Sequence, residues 1–81
     1  MDSSMIGKQI RHFRRMRDLT QEQFADRVQL TVEALRQIER GACAASEEVL
    51  LRCCKALSIT LEELLENADM EGQMQKMSWI L

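Results

Sequence analysis

Residues Thr20 to Gly41 read TQEQFADRVQLTVEALRQIERG, and this stretch decides the fold. Its apolar residues fall at Phe24, Ala25 and Val28, then at Leu30, then at Leu35 and Ile38. The first three share one helical stripe, the last two share another, and Leu30 lies between the two. Thr20 offers a side-chain oxygen where the first helix starts, and Gln23 three residues later completes a capping box; Thr31 can cap the second helix in the same way. Gly41 supplies the residue most tolerant of a left-handed backbone, which ends the second helix. Two helices this short bury that apolar set only by crossing steeply around a tight turn, which makes the stretch a helix-turn-helix.

The pattern continues on both sides. Upstream, Ile6, Ile10 and Phe13 form one stripe while Lys8, Arg11 and Arg15 turn outward, so a helix is expected from just after Ser3 or Ser4 to about Arg17. Asp18 and Leu19 form the break. Downstream, the loop Ala42-Cys43-Ala44-Ala45 leads to Ser46, an N-cap followed by Glu47 and Glu48, carboxylates that the helix dipole favours there. This fourth helix is expected to bury Val49, Leu50, Cys53 and Leu57. Thr60, with Glu63 as its capping-box partner, starts a fifth whose Leu61, Leu64 and Leu65 close the core. Beyond Asn67, Met70, Met74, Met77 and Leu81 recur on one helical face that Gly72 interrupts only weakly. The chain thus divides into a domain over 1–69 and an apolar tail over 70–81. The tail, with Trp79 and Ile80, either folds back on its own domain or covers a dimer interface.

Composition narrows the class. An 81-residue chain with no proline, three glycines and 4% aromatic residues is expected to form one all-α domain without strands. A domain of this size buries only about 60% of its unfolded surface, so association would help it. No apolar run approaches the roughly 20 residues of a membrane span, and no signal-peptide core is evident, which makes the cytoplasm the expected compartment. Cys43, Cys53 and Cys54 are an odd set beside a lone histidine, so neither a disulfide framework nor a zinc site is supported, and no cofactor is expected. They read as two core residues and one loop thiol, with a redox role for the adjacent pair as the lesser alternative. A single histidine and no carboxylate pair on a shared buried face leave nothing from which to build a catalytic centre, so the chain is not expected to be an enzyme. Net charge is −2, but residues 1–40 carry eight Lys or Arg against six Asp or Glu, and residues 41–81 carry three against seven. The positive half contains the helix-turn-helix, a local footprint of the kind that attracts nucleic acid.

Ile6-Gly7-x-x-Ile10-Arg11-x-Phe13-Arg14, Leu19-Thr20-Gln21-x-x-Phe24-Ala25, Leu30-Thr31 and Ile38-Glu39-Arg40-Gly41 resemble the DNA-binding domain of phage repressors and Cro proteins. The resemblance runs from about Ile6 to Leu65 and takes in Lys55-Ala56-Leu57 and Thr60-Leu61-Glu62-Glu63-Leu64-Leu65. It implies a five-helix fold and double-stranded DNA as the partner, with no small-molecule ligand evident. By that likeness Val32, Glu33 and Gln37 reach base edges, Gln21 at the start of the second helix contacts phosphate, and Arg14 pairs with Glu39. Gln29 stands in the turn where the family often has glycine, which implies a left-handed residue there at a cost of about 1 kcal/mol.

Helical geometry agrees with much of this. Stepping about 100° per residue from Leu35 places Glu33, Gln37 and Arg40 opposite the core, with Arg36 at the flank, while Glu39 lies about 40° from Leu35 on the inward side. A major groove admits such a helix: Gln37 suits adenine, Arg36 guanine, Glu33 a cytosine amino group and Val32 a thymine methyl. Arg11, Arg15 and Arg40 are candidate phosphate contacts. The loop after Gly41 departs from the pattern, carrying no lysine or arginine before Glu47 and Glu48. Two functions follow. One is a homodimeric transcription regulator, such as a phage-type repressor, restriction-modification controller or antitoxin, reading a palindromic operator; the other is an interaction module that keeps the repressor fold but binds a partner protein.

Overall fold

The computed structural model describes residues 3–68. Five helices follow one another: α1 (Ser3–Met16), α2 (Gln21–Arg27), α3 (Val32–Arg40), α4 (Glu47–Leu57) and α5 (Leu61–Ala68), with no strand among the described residues. The fold is the expected all-α one. The tail residues Met70, Met74, Met77, Trp79, Ile80 and Leu81 lie outside the described residues.

Local chemistry sets the helix starts. Thr20 accepts from the Gln23 backbone N–H at 3.0 Å while the Gln23 side chain accepts from the Thr20 N–H at 2.9 Å, a complete capping box. Thr31 accepts from the Ala34 N–H at 3.0 Å and Ser46 from the Val49 N–H at 3.2 Å. Thr60 and Glu63 repeat the reciprocal box at 3.0 and 2.8 Å. Each cap satisfies backbone donors that have no partner within the helix.

Helices α1 to α4 end by one device. Asp18, Gln29, Gly41 and Ser58 all have positive φ, at 57°, 62°, 78° and 60°. The residue after each donates its N–H back to a carbonyl five residues earlier: Leu19 to Arg14, Leu30 to Ala25, Ala42 to Gln37, Ile59 to Cys54. These are Schellman closures, and the apolar Leu19, Leu30 and Ile59 then fold against the core as the motif favours. Only Gly41 is a glycine, so the other three closures accept the cost of a Cβ in the left-handed region.

Ile10, Phe24, Val28, Leu35, Cys53, Leu57 and Leu64 are the largest fully buried side chains. On α4 the burial expected of Val49 and Leu50 is only partial, whereas Cys54 is buried. All belong to one stripe, but Val49 and Leu50 occupy the first turn, at the edge of the core. Two glycines bring α1 onto the end of α3. A Cβ on Gly7 would land on the Ile38 and Glu39 carbonyl oxygens, and one on Gly41 would lie 2.7 Å from Ser4 Cα. The two backbones touch directly, and that contact sets the orientation of α3.

Candidate nucleic-acid interface

Helix α3 has two chemically distinct sides. Leu35, Ile38 and Glu39 face inward and are buried, whereas Glu33, Arg36 and Arg40 are exposed and Val32 and Gln37 half-buried. Val32 also packs against the core, leaving only part of its surface for a ligand.

On the outer side three of the expected readers meet. The Gln37 side-chain Nε2 donates to Glu33 Oε2 at 2.8 Å, and Arg36 Nη1 approaches Glu33 Oε1 at 3.5 Å. One carboxylate therefore has an amide on one oxygen and a guanidinium on the other. Arg40 extends the exposed face by one turn. Arg11, half-buried, and Arg15, exposed, stand on α1, and their guanidinium groups make no hydrogen bond among the described residues.

On the inner side a second carboxylate joins three helices. Arg14 Nε donates to Glu39 Oε2 at 2.7 Å and its Nη2 to Oε1 at 3.2 Å, with the side chains only 8% and 2% exposed. Arg14 Nη1 continues to the Leu19 carbonyl oxygen at 2.8 Å. Gln21 Nε2, from the first turn of α2, donates to Glu39 Oε1 at 3.1 Å. Sequence reasoning reached the Arg14–Glu39 pair but not the Gln21 contact, which turns the pair into a junction of α1, α2 and α3. It also missed Arg17, whose Nε donates to the Leu57 carbonyl oxygen at 3.0 Å and occupies an end group of α4. Its partner stands 40 residues away, and no local pattern announces it.

The cysteines divide as two core thiols and one loop thiol: Cys53 and Cys54 are buried, Cys43 is exposed, and all three are free. Burial, then the neighbouring Cys54 and the charge of Glu39, push the Cys53 thiol up to about 12. Burial, then Glu63, raise Cys54. Both buried thiols are therefore held in the neutral form, which is unreactive. Among the described residues no cluster of His, Cys, Asp or Glu is placed to hold a metal ion, and no helix is long and apolar enough to cross a membrane.

Two short crossed helices, a left-handed turn between them and a polar outer face on the second define a helix-turn-helix domain. The chain belongs to the helix-turn-helix domain family, whose profile matches residues 6–67. It is 34% identical over 64 residues to YazB, an uncharacterized HTH-type transcriptional regulator of Bacillus subtilis (strain 168), an alignment spanning 79% of this chain and 93% of that one. Among solved structures it resembles the restriction-modification controller protein C.AhdI from Aeromonas hydrophila, with a TM-score of 0.74, 30% identity and coverage of 78% of this chain and 96% of that one. It also shares its fold with the clp gene regulator ClgR from Corynebacterium glutamicum, at a TM-score of 0.82 and 22% identity, over 100% of this chain and 90% of that one.

Proposed function

We propose that the chain is a sequence-specific, double-stranded DNA-binding transcriptional regulator, acting as a homodimeric repressor on a roughly palindromic operator. The observation that carries the proposal is the outer face of α3, where Glu33, Arg36, Gln37 and Arg40 stand clear of a domain that anchors the opposite face through Leu35, Ile38 and Glu39. Membership of the helix-turn-helix family and the likeness to YazB and C.AhdI, both named as regulators or controllers, support it. In this reading α3 enters the major groove with Val32, Arg36 and Gln37 toward base edges and Glu33 among them. Arg11, Arg15 and Arg40 face phosphates, as does the solvent-exposed part of Gln21, whose half-buried amide also donates to Glu39. The dimer is assigned to α5 and the tail, where Met70, Met74, Met77, Trp79, Ile80 and Leu81 are too apolar a set to be left in water. Two-fold symmetry then sets the two α3 helices about 34 Å apart.

The test is selection of duplexes from a randomised pool by the full chain, followed by affinity measured against salt. An enriched, roughly palindromic sequence bound more weakly as salt rises is the expected result. A chain truncated after Asp69 should lose both the dimer by light scattering and most of the affinity. No enrichment, or binding indifferent to salt, turns the assignment toward a module that binds a partner protein. That second reading has its own observation: the loop from Ala42 to Ala45 brings no cation, and the exposed Glu47 and Glu48 follow it where a phosphate contact would be useful.

A further inference from the structure

We infer that Glu33 is a positioning residue for Gln37, holding its amide so that the exposed edge suits adenine and refuses guanine; this rests on the proposed reading of DNA by α3. Chemistry fixes the orientation. An ionised carboxylate only accepts hydrogen bonds, so the end of the Gln37 amide that meets Glu33 Oε2 at 2.8 Å is the NH2 end, and the amide oxygen is directed elsewhere. The two residues are four apart on one helical face, so the contact forms within α3 and precedes any encounter with DNA. The second Glu33 oxygen faces Arg36 at 3.5 Å, which places a compensating positive charge beside a carboxylate that phosphate would otherwise repel.

A glutamine amide with both N–H groups free can swing to donate to the two acceptors of guanine, N7 and O6, or offer one N–H and its oxygen to N7 and the N6 amino group of adenine. Committing one N–H to Glu33 removes the first option and leaves the second intact. Glu33 therefore acts on the base pair that Gln37 reads. It does not take a cytosine amino group of its own, the role its residue type alone suggests.

The experiment compares adenine with guanine at each position of the selected duplex for the wild-type chain, Glu33→Ala, Glu33→Gln, Gln37→Ala and the Glu33→Ala/Gln37→Ala double variant, with circular dichroism confirming the fold of each. Glu33→Ala should lower the adenine preference roughly tenfold at the base pair that Gln37→Ala affects, and the double variant should lose no more than Gln37→Ala alone. Glu33→Gln, which still offers an acceptor, should retain part of the preference. In the free chain, the Gln37 side-chain amide resonances should move in Glu33→Ala. Relaxation at a different base pair, additive losses, or unmoved Gln37 amide resonances would overturn the positioning role while leaving DNA reading in place. A wild-type chain that enriches no sequence overturns the proposed function, and the positioning role falls with it.

Discussion

Helix α3 takes part in the same chemical trio twice. At its outer face Glu33 meets Gln37 and Arg36; at its inner face Glu39 meets Gln21 and Arg14. The outer carboxylate and guanidinium are 64% and 50% exposed, the inner ones 2% and 8%. Exposure separates their roles. In water the outer groups exchange solvent contacts for each other at little net gain, so they remain available to a ligand. Away from water Arg14 and Glu39 have only each other, the Leu19 carbonyl oxygen and the half-buried Gln21 amide, and removing either charged partner strands a desolvated charge. The inner trio also spans three helices, whereas the outer lies within one. Glutamate, arginine and glutamine thus build architecture on one side and recognition on the other, and burial decides which.

The most severe way to break this contrast is to remove one inner partner. Arg14→Ala or Glu39→Ala should destabilise the domain by about 3–5 kcal/mol in urea unfolding, because the remaining charge stays buried unpaired. Replacing both with apolar residues, Arg14→Met with Glu39→Leu, should cost much less. Small additive losses in that cycle would show that the junction does not act as a unit. Gly7→Ala probes the same seam through the backbone. The new methyl would meet the carbonyl oxygens of Ile38 and Glu39, so a loss of roughly 1–3 kcal/mol is expected despite alanine's better helix propensity. A variant as stable as the parent would mean that α1 and α3 can separate without penalty.

The inner trio also has a buried ionisable neighbour in Cys53. Cys53, raised to about 12 from an ordinary value of 9.0, is neutral in the fold and ionises first in the unfolded chain. The sign follows: its contribution is fully present below pH 9.0, falls as pH rises beyond that, and is lost by about 12. The slope should not exceed about 1.4 kcal/mol per pH unit for this thiol. Urea unfolding at pH 8 to 10 should show a steeper decline for the parent than for Cys53→Ala; equal slopes would place the alkaline sensitivity elsewhere.

The contrast also separates what the sequence discloses from what it withholds. Local signals gave the helices: Thr20 with Gln23, Thr31, Ser46 and Thr60 with Glu63 all cap as their spacing implies. The outward face of α3 follows from helical periodicity, but the Glu33–Gln37 contact does not enter the sequence reading, which treats the two as separate base readers although they stand four apart on one face. Long-range polar contacts had no such signal. Gln21 reaches Glu39 across 18 residues and Arg17 reaches Leu57 across 40, and nothing near either residue specifies its partner. The closures at Asp18 and Ser58 were hidden for another reason, since neither is a glycine. Their mark is the apolar residue that follows, Leu19 or Ile59, and by pattern alone this reads simply as a core residue.

The smallest expected effect is the sharpest test of the contrast. Glu33→Ala and Arg36→Ala should each change stability by no more than about 0.5 kcal/mol, because exposed pairs one turn apart on a helix contribute only a few tenths. The two residues are three apart, their contact is 3.5 Å, and salt screens what remains of it. Alanine, the better helix former, offsets part of even that loss. The same substitutions should nevertheless alter DNA binding, Arg36→Ala by weakening affinity and Glu33→Ala by relaxing base preference. Function would then change with stability almost constant, the reverse of what Arg14→Ala should do. Urea unfolding of the two outer variants at low and high salt checks the first half. A loss of 2 kcal/mol or more, well above the range for exposed pairs, would mean that the outer trio also bears structural load.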